Sequence, residues 1–143
     1  MKDVSKPLID GYFALLDGMV IDGHVVPFCH LKATYPVKAP YILCTGIITS
    51  NTNTRDEFDG DATIDLTIYT EFDGDFGNMD LANLIAAEIF NRVIPEPGTT
   101  NIEAVGFTVA GAKSRGTRDF EHSLDSKTTF GKRITIEHLI YQL

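Results

Sequence analysis

The chain has 143 residues, 43% of them hydrophobic, with 9 Phe and 5 Tyr. That is one ordinary domain's length, able to bury roughly two-thirds of its unfolded surface without a disulfide or metal, and it excludes a disordered chain. Lys and Arg number 12 against 20 Asp and Glu, for a formal charge of −8; the basic residues are scattered, which argues against general binding of nucleic acid through its phosphates.

The opening residues MKDVSKPLID carry no apolar run of signal-peptide length, and no stretch reaches the roughly 20 apolar residues of a membrane span. The expectation is a chain folded in a cytoplasm. Cys29 and Cys44 sit among apolar residues and are expected to be buried free thiols.

In chain order, residues 7–16 predict a helix. Ser5 is its expected N-cap, Leu8, Ile9, Tyr12, Phe13, Leu15 and Leu16 are its apolar stripe, and Gly18 is its stop. Asp22-Gly23 between Met19-Val20-Ile21 and His24-Val25-Val26 predicts a two-residue hairpin. Pro27 limits its second arm, and Cys29 to Pro40 is expected to be a connector.

Tyr41 to Ser50 predicts a strand and Asn51 to Gly60 a polar loop. Asp61 to Phe72 alternates most clearly: Ala62, Ile64, Leu66, Ile68 and Thr70 share one face, and Asp61, Thr63, Asp65, Thr67, Tyr69 and Glu71 the other. Met79 to Val93 predicts the main helix, capped by Asn78 or Asp80, with Leu81, Leu84, Ile85, Ala87, Ile89 and Phe90 as its apolar face. Ile102 to Ala110 predicts a strand, Gly111 to Ser126 a second polar loop, and Thr128 to Leu143 a closing strand or hairpin. The fold class is α+β: one mixed, mostly antiparallel sheet of about four to six strands with two helices on one face, forming a single domain over residues 1–143.

No residue set amounts to a catalytic centre. Glu57-Phe58-Asp59-Gly60-Asp61 recurs as Glu71-Phe72-Asp73-Gly74-Asp75. Carboxylates so spaced could hold Ca²⁺, but neither copy continues as an EF-hand loop. A strand of about 12 residues also keeps the two copies roughly 35 Å apart. Turn-forming Asp-Gly pairs are the expected reading. His24, His30, His122 and His138 lack zinc-site spacing, and His138, in an apolar strand, is expected to be a satisfied core or interface histidine. Ser114, Asp119, His122 and Ser123 make a nominal Ser/His/Asp set without a Gly-x-Ser-x-Gly elbow. The Gly111/Gly116 spacing lacks the Gly-Lys-Ser/Thr ending of a phosphate loop. No metal or cofactor is expected, and no enzyme activity.

The arrangement resembles the small tail-terminator and tail-completion proteins, the head–tail joining families of long-tailed phages. The residues that carry the resemblance are Pro40-Tyr41-Ile42-Leu43, then Asp65-Leu66-Thr67-Ile68-Tyr69-Thr70 ending in Glu71-Phe72-Asp73-Gly74. The helix from Asn78 to Val93 and the closing Gly131-Lys132-Arg133-Ile134-Thr135-Ile136-Glu137-His138 complete the pattern. The resemblance implies a ring, expected to be a hexamer, that caps the finished tail tube and meets the head connector. Its partners are then itself, the tail tube protein and the head–tail connector protein, while DNA passes through without specific binding and no membrane is involved. It implies a place in the virion, at the head-proximal end of the tail, after assembly in the host cytoplasm. Combined with the two polar loops, it places subunit contacts at Arg55, Glu57, Phe58, Arg115, Arg118 and Phe120. The alternative function is an acidic Ca²⁺-binding or adhesion module.

Overall fold

A computed structural model describes residues 2–30, 38–51, 59–124 and 126–143. The elements are α1 (Ser5–Leu16), β1 (Met19–Ile21), β2 (His24–Val26), β3 (Phe28–His30), β4 (Tyr41–Asn51), β5 (Asp59–Asp73), α2 (Asp80–Val93), β6 (Phe107–Leu124) and β7 (Lys127–Gln142). Five strands form one sheet in the order β3-β4-β5-β7-β6, antiparallel throughout except for the parallel pair β3 and β4; β1 and β2 form a separate hairpin. The architecture is the expected α+β one.

Strand β5 shows why the sheet has one dry face. Ala62, Ile64, Leu66, Ile68 and Thr70 are all fully buried, while Asp61, Thr63, Asp65 and Tyr69 between them are only half-buried and Glu71 is exposed. In register on β7 lie His138, Ile136, Ile134, Lys132 and Phe130. Both helices cover this inner face. From α1 come Leu8, Tyr12 and Leu16, four residues apart, and from α2 come Ala82, Ile85, Ala86, Ile89 and Val93.

Several local expectations change. The α1 N-cap is Val4, and Ser5 is the first helical residue, its N–H donating to Asp3 Oδ1 at 2.9 Å. Asn78 Oδ1 likewise accepts from Asp80 N at 3.0 Å, but the α2 N-cap is Met79. Leu84 and Ala87 face outward, because α2 turns Ala82, Ala86 and Val93 to the sheet instead. The connector at Cys29 opens as a strand: β3 pairs with Ile42–Cys44 of β4, too short a run to show a period. Residues 101–106 do not join the sheet; Ile102 and Ala104 are buried there, Ile102 against Gly11 of α1, and the strand starts at Phe107. The hairpin turn is as expected, with Asp22 (φ 50°) and Gly23 (φ 79°) both left-handed.

The largest correction concerns Gly111 to Ser126. Residues 111–124 belong to the edge strand β6, which pairs with β7 as far as Leu124 except at two bulges. Residues 113–119 are exposed on both faces, so no apolar alternation marks them as β. The two glycines belong to bulges, with register shifts at Val109/Gly111 and Ser114/Gly116.

One polar group lies deep in the core. His138 is fully buried, its Nδ1 2.8 Å from Ala62 O and its Nε2 2.5 Å from the hydroxyl of Tyr12. The carbonyl only accepts, so Nδ1–H donates to it and Nε2 accepts the Tyr12 O–H. The neutral ring is thereby satisfied twice and ties α1 to β7 and β5.

This packing sets three expected outcomes. Ile85→Asp places an unpaired charge in a fully buried site and should cost about 3 kcal/mol or more, seen as loss of cooperative thermal unfolding. Burial lowers the pKa of His138 below its ordinary 6.5, outweighing the opposing bond to Ala62 and the charge of Glu137. The unfolded chain then binds the proton more readily, so this contribution is complete above about pH 6.5 and lost as pH falls toward the depressed folded value. Urea unfolding between about pH 8 and pH 5 should show that loss. Tyr12→Phe, which leaves Nε2 unpaired, should cost about 1–3 kcal/mol at neutral pH.

Candidate interaction surface

Among the described residues the sheet's second face carries no helix, so its residues define a candidate surface. On this outer face β5 presents Asp61, Thr63, Asp65, Thr67, Tyr69 and Glu71. In register on β7 lie Leu139, Glu137, Thr135, Arg133, Gly131 and Thr129. Strand β6 then adds Gly111, Lys113, Gly116, Arg118, Phe120 and His122 beside those β7 residues. Leu139 and Tyr141 are 42% and 40% exposed here, and Ile48 on β4 is 73% exposed.

One row across this face is aromatic. Tyr41 and Tyr69 stack with ring centroids 5.2 Å apart, and Phe120 meets Tyr69 edge-on at 5.8 Å. The ring of Phe120 fills the space that a Cβ at Gly131 would need. This glycine therefore makes room for an aromatic residue on the neighbouring strand. Phe120 is not stranded in a loop, as the sequence suggested; it is half-buried in a cross-strand row.

The charges on the hairpin β6–β7 are mostly paired. Glu137 takes Lys113 at 3.8 Å and Arg115 at 3.2 Å, Glu71 takes Lys127 at 2.9 Å, and Asp119 takes Lys132 at 2.6 Å. Each of these pairs has at least one half-exposed partner, although Lys132 and Glu137 are mostly covered, and such partly screened pairs contribute little stability each. Of the expected contact residues, Arg115, Arg118 and Phe120 come together on β6, whereas Arg55, Glu57 and Phe58 lie outside the described residues.

Groups that could do chemistry are kept apart. Ser114, Asp119, His122 and Ser123 are strung along one extended strand, and Ser123 Oγ lies 3.4 Å from Thr128 Oγ1 rather than near a histidine. His24, His30 and His122 are exposed on three different strands. Among the described residues no group of three His, Cys, Asp or Glu is placed to hold a metal ion. Cys29 and Cys44 are buried and free; burial pushes the Cys44 thiol up to about 11, so it stays protonated at neutral pH and is a poor nucleophile. A shallow groove of about 640 Å³ between the β1–β2 hairpin and α2 is lined by Val20, Leu84, Ala87 and Phe90, with Asp22 and Glu88 among its polar residues. Sequence periodicity missed it, because Leu84 and Ala87 fit a helical stripe that the core does not use in full.

Phe120→Ala should uncover Gly131 and remove the edge-on contact with Tyr69. A stability loss of about 1–2 kcal/mol with unchanged secondary structure is expected, measured by denaturant unfolding and circular dichroism.

No family model matches the sequence, and no curated protein does. The fold, however, is shared with a solved chain described as the virion of a native gene transfer agent particle. The TM-score is 0.72 at 10% sequence identity, covering 99% of this chain and 99% of that one. At that identity the likeness is one of fold, and it spans the whole chain.

Proposed function

We propose that the protein is a structural subunit of a phage-like virion, which closes into a ring, terminates the tail tube and joins it to the head connector. The observation that carries this reading is the fold likeness to a chain of the gene transfer agent virion, which covers 99% of each of the two chains. It agrees with the pattern of residues that resembles tail-terminator proteins.

The surface supports an assembly role. A five-stranded sheet with one face uncovered, bordered by an edge strand of 18 residues, is a ready contact surface. Exposed Leu139, Tyr141 and Ile48 give that face apolar area amid charges. Arg115, Arg118 and Phe120 fall on it, in keeping with their proposed place at a subunit contact. A ring needs a heterologous contact between two different patches, repeated until it closes. On this reading the partners are further copies of the chain, the tube protein and the connector. DNA passes the ring without being held, and the protein needs no cofactor and catalyses no reaction.

Electron microscopy of the protein alone at high concentration and with tail tubes is the test. The expected outcome is a ring of uniform subunit number, free or seated on a tube end. Single subunits in both preparations, with bare tube ends, would contradict the proposal.

A further inference from the structure

The hairpin β6–β7 differs in charge from the rest of the chain. Between residues 107 and 142 there are six Lys or Arg and four Asp or Glu; the rest of the sequence has six against sixteen. Of those six basic residues, four have a carboxylate partner. The other two, Arg118 and Arg133, stand directly opposite each other across β6 and β7 on the outer face, both exposed and without an ion pair among the described residues. Like charges in that position destabilise a strand pair. The same row continues to Thr67 on β5, in register with Arg133. Thr67 is only 2% exposed, and its hydroxyl oxygen has no hydrogen-bond partner among the described residues. One row of the open face thus holds both an uncompensated charge pair and an unmet polar group.

The geometry points to a carboxylate-binding row, Arg118–Arg133, that is completed by the acidic surface of a second copy of this chain. Two adjacent guanidinium groups can take one carboxylate with charge-assisted, paired hydrogen bonds. The copy supplies such groups at the far side of the sheet from β6. There, α1 packs beside β3 and β4, and the β1–β2 hairpin leads into β3. Asp10, Asp17 and Asp22 are exposed on α1, its C-cap and the hairpin turn. Asp10 carries an exposed ion pair with Lys6 at 2.7 Å and Asp17 Oδ1 accepts from Phe28 N, which leaves each a second oxygen to offer. The apolar Phe13, Val20 and Val25 lie with them at 50%, 65% and 64% exposure. Contact between opposite sides of the subunit is head-to-tail, the kind that closes a ring. The inference rests on the ring reading and names its interface.

Sedimentation velocity on the full chain tests it, with tail tubes as nuclei if free rings are not seen. Arg118→Glu replaces a repelling cross-strand pair by an attracting one, so the subunit should melt at a higher temperature while its association weakens by more than about tenfold. A purely structural role for Arg118 would not move these two readouts in opposite directions. Asp10→Lys should weaken association alike, and an equal mixture of the two variants should assemble again, because alternating copies restore opposite charges at every contact. Wild-type association with undiminished assembly of Arg118→Glu would overturn this interface and leave the ring reading standing; no wild-type assembly in any condition would overturn both. Binding of a short DNA duplex to the wild type that Arg118→Glu abolishes, without any change in association, would assign the row to phosphate and overturn the carboxylate assignment.

Discussion

The structure depends on one constraint, the strict alternation of β5 at the centre of the sheet. Its inward residues are fully buried from Ala62 to Thr70, and a shift of one residue in register would turn all of them outward. Strand β7 follows the same phase, so Ile134, Ile136 and Ile140 join the core and His138 is carried in with them. A buried imidazole needs partners, and the fold provides two, Tyr12 from α1 and the Ala62 carbonyl of β5. The position of α1 is thus coupled to the alternation. With both helices on the inner side, the other face of the sheet is left open.

That open face explains what could be foreseen from sequence and what could not. Strand β5 was legible because one face is dry and one wet, which writes a two-residue period. The hairpin turn was legible because Asp22 and Gly23 both adopt left-handed backbone. The extent of α2 was legible, but its buried side was not. Small Ala82 and Ala86 let the helix approach the sheet, and Leu84 was left outside. The part of β6 beyond Ala110 is illegible for a different reason. Residues 113–119, wet on both faces, carry Lys, Ser, Arg, Gly, Thr and Asp where a central strand would carry aliphatics, and the bulges break the period further. The same disguise hid the candidate surface. By sequence Arg115, Arg118 and Phe120 read as loop residues, and only strand pairing brings Arg133 and Gly131 beside β6, with Thr67 beyond Arg133 on β5.

Among the described residues Ser114, His122 and Ser123 are strung along one extended strand and the thiols are buried, while exposed Leu139, Tyr141 and Ile48 share the outer sheet face and Phe13, Val20 and Val25 the side bearing α1 and the first hairpin. A subunit with two different adhesive sides suits a closed ring. Exposed ion pairs of this kind add little affinity each, so apolar residues such as Leu139 and Tyr141 on one side and Val20 and Val25 on the other would carry much of the association, and the charges its register.

The most direct measurement is native mass spectrometry of the protein over a wide concentration range, alone and after incubation with tail tubes. The account predicts two dominant species, the subunit and one closed oligomer, with few sizes between them, because a ring gains its last interface only on closure. A mass that stays at the single subunit under every condition, or a continuous ladder of open oligomers, would contradict it.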